Sequence, residues 1–193
     1  MTTPSFELRG GYRLRPLQES DALELHALID ANRAHLARWM PWAASQTEAD
    51  TIQFIRATRR QLAENDGFQA AVLSAELIVG VAGYHSVDWP NRATSIGYWL
   101  AADAQGRGTM TEAVTALVDH AFGTWKLNRV EIRIDVANRS SRAIPERLGF
   151  WREGTLRQAQ RPGERYSDQV VYAVLAGDWI SPAGAVDHEP PSA

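Results

Sequence analysis

The chain has 193 residues, 45% of them hydrophobic and 22% charged, which supports one globular domain with a sizeable core and leaves little length for two. Its formal net charge of -3 provides no basic field of the kind that holds a phosphodiester backbone, so a dedicated nucleic-acid binder is disfavoured and a small-molecule or protein substrate fits better. With no cysteine, disulfides, thiolate metal sites and cysteine nucleophiles fall together.

The opening MTTPSFELRGGYRLRP lacks the basic start and apolar run of a secretory signal, and no later stretch has the length of a membrane span. The expected address is the cytoplasm, with no membrane or nucleic-acid partner. YRLRPL (12–17) reads as a first strand. A helix follows, with Ser20 and Asp21 as N-cap candidates and Leu25, Leu28, Ile29, Leu36 and Met40 near helical spacing until Pro41 stops the run. A second helix is predicted from about Thr47 to Asn65, ending at Asn65-Asp66-Gly67.

The period then changes to that of strands. FQAAVLS (68–74), ELIVGVAGYHSVD (76–88) and RATSIGYWL (92–100) predict an antiparallel meander. A helix resumes at about Thr109 and closes at Gly123, NRVEIRIDV (128–136) alternates as a strand, and a short helix runs from about Ser140 to Leu148. Pro145 fits that helix only in its first turn, where the missing N–H has little to lose. Two last strands, 150–160 and 164–176, turn at Pro162-Gly163. The domain is expected over residues 10–180, with a disordered tail from 181 to 193. Strand, helix and strand across 92–136 force one parallel crossover.

The segment YWLAADAQGRGTMTEAV (98–114) is the most informative. A strand enters a loop containing Gly106 and Gly108, and a helix starts at once. Glycines admit close backbone approach, and the unpaired N–H groups and dipole of a helix start attract an anion such as a phosphate or pyrophosphate. From these residues alone a ligand-free turn explains the segment equally well. A Walker loop would need Gly-Lys-Ser/Thr, and a dinucleotide fingerprint a third glycine and an early strand; neither is present.

QGRGTM does resemble the pyrophosphate loop of the GNAT acetyltransferases, Gln/Arg-x-x-Gly-x-Gly/Ala, with Met110 departing at the last position. Together with RWMPW (38–42), IGYWL (96–100), MTEAV (110–114), LNRVEIRIDVANRSSRAIPERLGF (127–150) and EGTLRQA (153–159), the chain resembles the RimJ/RimL-type branch, which includes ribosomal-protein N-acetyltransferases. The resemblance spans roughly 12–180 and implies an α/β fold with a mixed central sheet of about seven strands and about four flanking helices. It implies acetyl-CoA as cosubstrate, with its pyrophosphate on the amides of Gln105, Gly106, Arg107, Gly108, Thr109, Met110 and Thr111. It also implies that the pantetheine arm pairs with the strand ending at Leu100. A homodimer is a further family expectation.

Asn138 and Ser141 lie between a strand and a helix, where helix capping alone explains them. The resemblance instead makes Asn138 a cofactor contact and Ser141 the hydroxyl that donates to the departing CoA thiolate. The reaction is then direct attack of an amine on the thioester, with Ser141 as donor and not as nucleophile, in keeping with the missing cysteine. Trp39 and Trp42 are read as packing residues by type, and by the resemblance as walls of the acceptor groove.

His26, His35, His120 and His188 show no metal-ligand spacing, and no metal is expected. Where the ribosomal-protein acetyltransferases often carry a Glu after Arg-Gln-Ala, proposed as the base, this chain has Gln160, which cannot take a proton at neutral pH. His85 is the expected replacement, its ordinary pKa of about 6.5 suiting a base near pH 7; Glu131 and Glu164 are the carboxylate alternatives. Glu131, Arg133 and Asp135 share a strand face that a polar layer also explains. Two other readings are open: transfer of a bulkier acyl group such as succinyl, which calls for extra cationic contacts, and a catalytically inactive CoA-binding module, which has no need of Ser141.

Overall fold

The computed structural model describes residues 4–182. One mixed sheet of eight strands runs in the order β1-β2-β3-β4-β5-β6-β8-β7. The strands are β1 (Phe6–Leu8), β2 (Tyr12–Pro16), β3 (Gln69–Ser74), β4 (Leu77–Asp88), β5 (Ala93–Leu100), β6 (Arg129–Asp135), β7 (Trp151–Gln160) and β8 (Ser167–Leu175). The helices are α1 (Ala22–Ala31), α2 (Arg33–Leu36), α3 (Glu48–Ala63), α4 (Thr109–Gly123) and α5 (Arg139–Arg147).

Alternation along the central strands supplies both faces. Ala70, Val72, Ala82 and Tyr84 join one buried cluster with Val114, Leu117 and Val118 of α4, while Ala71, Leu73 and Val81 join another with Leu25 and Ile29 of α1 and Ile55 of α3. α3 starts on a capping box: the Thr47 hydroxyl accepts the Asp50 N–H at 3.1 Å, and the Asp50 carboxylate accepts the Thr47 N–H at 3.0 Å.

Three expectations are corrected. The sheet has an eighth strand, β1, too short to show an alternating period, paired antiparallel with β2 across the Arg9–Gly11 turn. The first helix breaks at Asn32, whose side chain donates to the Leu28 carbonyl at 3.0 Å and accepts the Ala102 N–H at 2.9 Å, tying the break to the segment after β5. Asp21 does stand at the N-cap of this helix, as expected, although its side chain makes no cap bond to it; the carboxylate is buried in a bidentate pair with Arg15 at 2.7 and 2.8 Å and accepts the Gln18 N–H in the turn before.

Pro145 is the third. It lies near the C-terminal end of α5 and not in its first turn. The carbonyl its missing N–H would have served is that of Ser141, four residues earlier, and this carbonyl instead accepts the Tyr98 hydroxyl at 3.0 Å. The tail beyond residue 182, His188 included, lies outside the described residues.

Candidate active site

The parallel pair β5·β6 holds only from Ala93–Arg129 to Ser95–Glu131. Beyond that point the strands separate, so β5 from Ile96 to Leu100 has no strand on that side, and neither does β6 from Ile132 to Asp135. The gap opens into a cleft of about 1070 Å³ lined from Ile96 through Leu100, by the 105–111 loop and by Ile132 through Asp135. That volume lies just above the usual range of ligand pockets, roughly 300–1,000 Å³, and suits a long cofactor arm with an acceptor.

The anion end comes from backbone. Gly108 is the N-cap of α4 in the left-handed region, φ 79°, Gly106 lies at φ 78°, and no side chain caps the helix start. A Cβ on either glycine would meet nothing within 4 Å, so the backbone here borders open space that an anion could approach. The Thr109 and Met110 side chains turn inward, 2% and 5% exposed, so these two positions offer backbone N–H groups and no side-chain contact. Gln105 fixes the loop entry, its amide donating to the His35 imidazole at 2.8 Å, and the Arg147 guanidinium donates to the Thr111 hydroxyl at 3.0 Å.

At the start of α5, Asn138 is both a cap and a cleft residue. Its side-chain oxygen accepts the Ser141 N–H at 3.2 Å and the Ser140 hydroxyl at 3.0 Å, which orients α5 so that Ser141 lines the cleft. The Tyr98 bond to the Ser141 carbonyl anchors the same residue from β5, and burial raises the Tyr98 pKa, keeping that hydroxyl a donor. The capping expected of Asn138 is seen, and it does not take the residue away from the cleft wall.

His85 reaches the cleft through a bulge. β4 pairs Tyr84 with Ile96 and next Val87 with Thr94, so His85 and Ser86 together oppose Ser95. The polar groups freed there are satisfied by side chains: Gln61 donates to the Tyr84 and His85 carbonyls, Gln69 to the Tyr84 carbonyl, Thr94 to the Ser86 carbonyl, and Asp66 accepts the Val87 N–H. The imidazole lies over Gly97, where a Cβ would come within 2.6 Å of Nε2. Desolvation by the cleft walls and the Arg133 charge lower its pKa, so it is neutral at pH 7 although part of the ring remains open to solvent.

The carboxylate alternatives to His85 do not line the cleft. Burial opposes the charge of Glu131, but hydrogen bonds from Arg129 and Arg133 more than offset it and hold the carboxyl below its ordinary value. Trp39 and Trp42 both line the cleft, Trp42 41% exposed and 6.4 Å from the Trp99 ring. His85, Ser141, Leu100, Gln105 through Thr111, Asn138, Trp39 and Trp42 therefore border one cleft, and the two carboxylate alternatives stand apart from it. Gln61, Gln69, Asp66, Thr94, Gly97 and Arg147 were missed, because their roles follow from strand register and cross-chain contacts that no local pattern shows. Among the described residues no group of three or more His, Asp or Glu is placed to hold a metal ion.

A family model for the GNAT acetyltransferase domain matches residues 12–151. The putative ribosomal N-acetyltransferase YdaF of Bacillus subtilis (strain 168) is 37% identical over 168 residues, covering 86% of this chain and 92% of that protein. The ribosomal-protein-serine acetyltransferase of Escherichia coli (strain K12) is 27% identical, covering 89% and 96%. Among solved structures, the RimL ribosomal L7/L12 α-N-protein acetyltransferase in complex with coenzyme A superposes with a TM-score of 0.85 at 25% identity, covering 89% of this chain and 98% of that one. The open helix start, the parted strands and these relatives agree: the chain belongs to the GNAT acetyltransferase family and is an acetyl-CoA-dependent N-acetyltransferase.

Proposed function

We propose that the acceptor is the α-amino group of a protein N-terminus, of the kind the ribosomal-protein acetyltransferases modify, and that transfer is direct within a ternary complex. The observation that carries the reading is the meeting, in one cleft, of an uncapped helix start, a hydroxyl anchored beside the strand gap and a neutral imidazole. The similarity to relatives named for ribosomal proteins supports the acceptor class, and relatives named for acetyl transfer favour acetyl over a larger acyl group.

Bound acetyl-CoA supplies the activated acyl group. The amides of Gln105 through Thr111 receive its pyrophosphate, and the unpaired edge of β5 up to Leu100, with Asn138, receives the pantetheine arm. His85 takes a proton from the amine as its nitrogen bonds the acyl carbon, and Ser141 donates a hydrogen bond to the sulfur whose bond to that carbon breaks. Trp39 and Trp42 wall the acceptor.

In this reading the domain comprises residues 10–180 together with the edge strand β1 that precedes them, works in the cytoplasm and pairs as a homodimer; no helix among the described residues is long and apolar enough to cross a membrane. The test is mass spectrometry on a peptide carrying both a free N-terminus and an internal lysine. Acetylation at the α-amine, abolished by blocking it, is expected; exclusive lysine modification sinks the acceptor assignment.

A further inference from the structure

A polar strap joins the β7–β8 hairpin to the loop that carries Trp39. The Gln160 amide donates from Nε2 to the Trp39 carbonyl at 3.1 Å, and its Oε1 accepts from Gln169 at 3.0 Å. The second bond fixes the amide's orientation, so that the amino group and not the oxygen faces Trp39. The Trp39 carbonyl lies in the turn after α2, and Gln160 hydrogen-bonds it from 121 positions along the chain.

The hairpin is shaped for this contact. β7 pairs Leu156 with Gln169 and next Gln160 with Ser167, so residues 157–159 oppose Asp168 alone. Within that irregularity Gln158 adopts φ 52°, disfavoured for a side-chain-bearing residue, and is held there by its N–H bond to the Asp168 carboxylate at 2.8 Å. Trp39, Gln160 and Gln169 all line the cleft.

We infer that Gln160 is a positioning residue, clamping the Trp39 loop to the hairpin and so setting the acceptor side of the cleft. This rests on the reading that the acceptor binds against Trp39. It also gives the amide at this position its own logic: a carboxylate would present oxygen to the Trp39 carbonyl oxygen and open the strap, so position 160 suits a clamp and the proton acceptor lies elsewhere.

The test is steady-state kinetics with an N-terminal peptide acceptor on Trp39→Ala, Gln160→Leu, Gln160→Glu and Gln169→Leu. Gln160→Leu is expected to raise the acceptor KM about two- to tenfold, the worth of one neutral hydrogen bond, while kcat and the acetyl-CoA KM stay within about twofold. Gln169→Leu gives the same pattern more weakly, and Gln160→Glu is as impaired as the leucine variant at pH 7. In a Trp39→Ala background, Gln160→Leu adds no further penalty. An unchanged acceptor KM in Gln160→Leu beside a raised one in Trp39→Ala overturns the strap alone, as does a Gln160→Glu enzyme faster than the parent. An unchanged KM in Trp39→Ala removes the acceptor wall itself, and the strap's role with it.

Discussion

Replacing Gly97 with alanine puts one methyl group where the His85 ring now lies. The added Cβ would come 2.6 Å from Nε2 and 2.7 Å from Cε1, so the ring must retreat by roughly 0.8 Å to reach ordinary van der Waals contact. Only the end of a side chain has to move and Gly97 is not in the left-handed region, so the fold absorbs the change. Lower entropy of the unfolded chain contributes about 0.4–1 kcal/mol in favour of the variant. A reacting group displaced by about 1 Å lowers the rate by up to about a hundredfold. Gly97→Ala should therefore keep or raise the melting temperature while lowering kcat about ten- to a hundredfold, measured by thiol release at saturating acetyl-CoA. The control is a double-mutant cycle: with His85→Ala already present, Gly97→Ala should have no further effect on kcat. A full additional loss in that background would show that the methyl acts on something other than His85 and would refute the assignment.

Ser141→Ala should lower kcat on the order of ten- to a thousandfold with little change in acetyl-CoA affinity by calorimetry; wild-type kcat under chemistry-limited turnover would reduce Ser141 to a cleft-wall residue. The acidic limb of kcat/KM should fall below pH 6.5, because the cleft lowers the His85 pKa, and should vanish with most of the activity in His85→Ala. Stability should be complete above pH 6.5 and fall as the pH drops toward 4, because burial pushes His120 down to about 4 and lowers His85, so the unfolded chain binds more protons in that window. Urea midpoints that stay flat from pH 6.5 to 4.5 would contradict this.

Where local structure is carried by contiguous residues, the sequence was sufficient. The run from Gln105 to Thr111 announces a strand, a glycine turn and a helix start, and the crossover through α4 appears as the parallel β5·β6 pair. The second helix was expected to begin at about Thr47, and Thr47 is its N-cap. Contacts between distant segments were not. The apolar spacing of Leu25, Ile29 and Leu36 runs unbroken across Asn32, yet the helix stops there because Asn32 bonds to Ala102, seventy residues away.

Pro145 was misplaced for a similar reason. A prolyl ring late in a helix looks intolerable until Tyr98 is found serving the Ser141 carbonyl. Gln160 was legible only as a missing carboxylate; its positive role depends on Trp39 and Gln169, which no local pattern links to it. His85 was a choice by intrinsic pKa, and what distinguishes it in the fold is the bulge and Gly97, both products of strand register.

The most direct test of the glycine loop as the cofactor site is calorimetric titration of acetyl-CoA into Gly108→Val beside the parent protein. Gly108 is exposed at φ 79° with open space around its Cβ position, so a β-branched residue strains the start of α4 and turns its amides away while leaving the core untouched. An affinity loss of at least about tenfold with unchanged circular dichroism is expected. Unchanged affinity in the folded variant would contradict it, and would remove the glycine loop from the cofactor site.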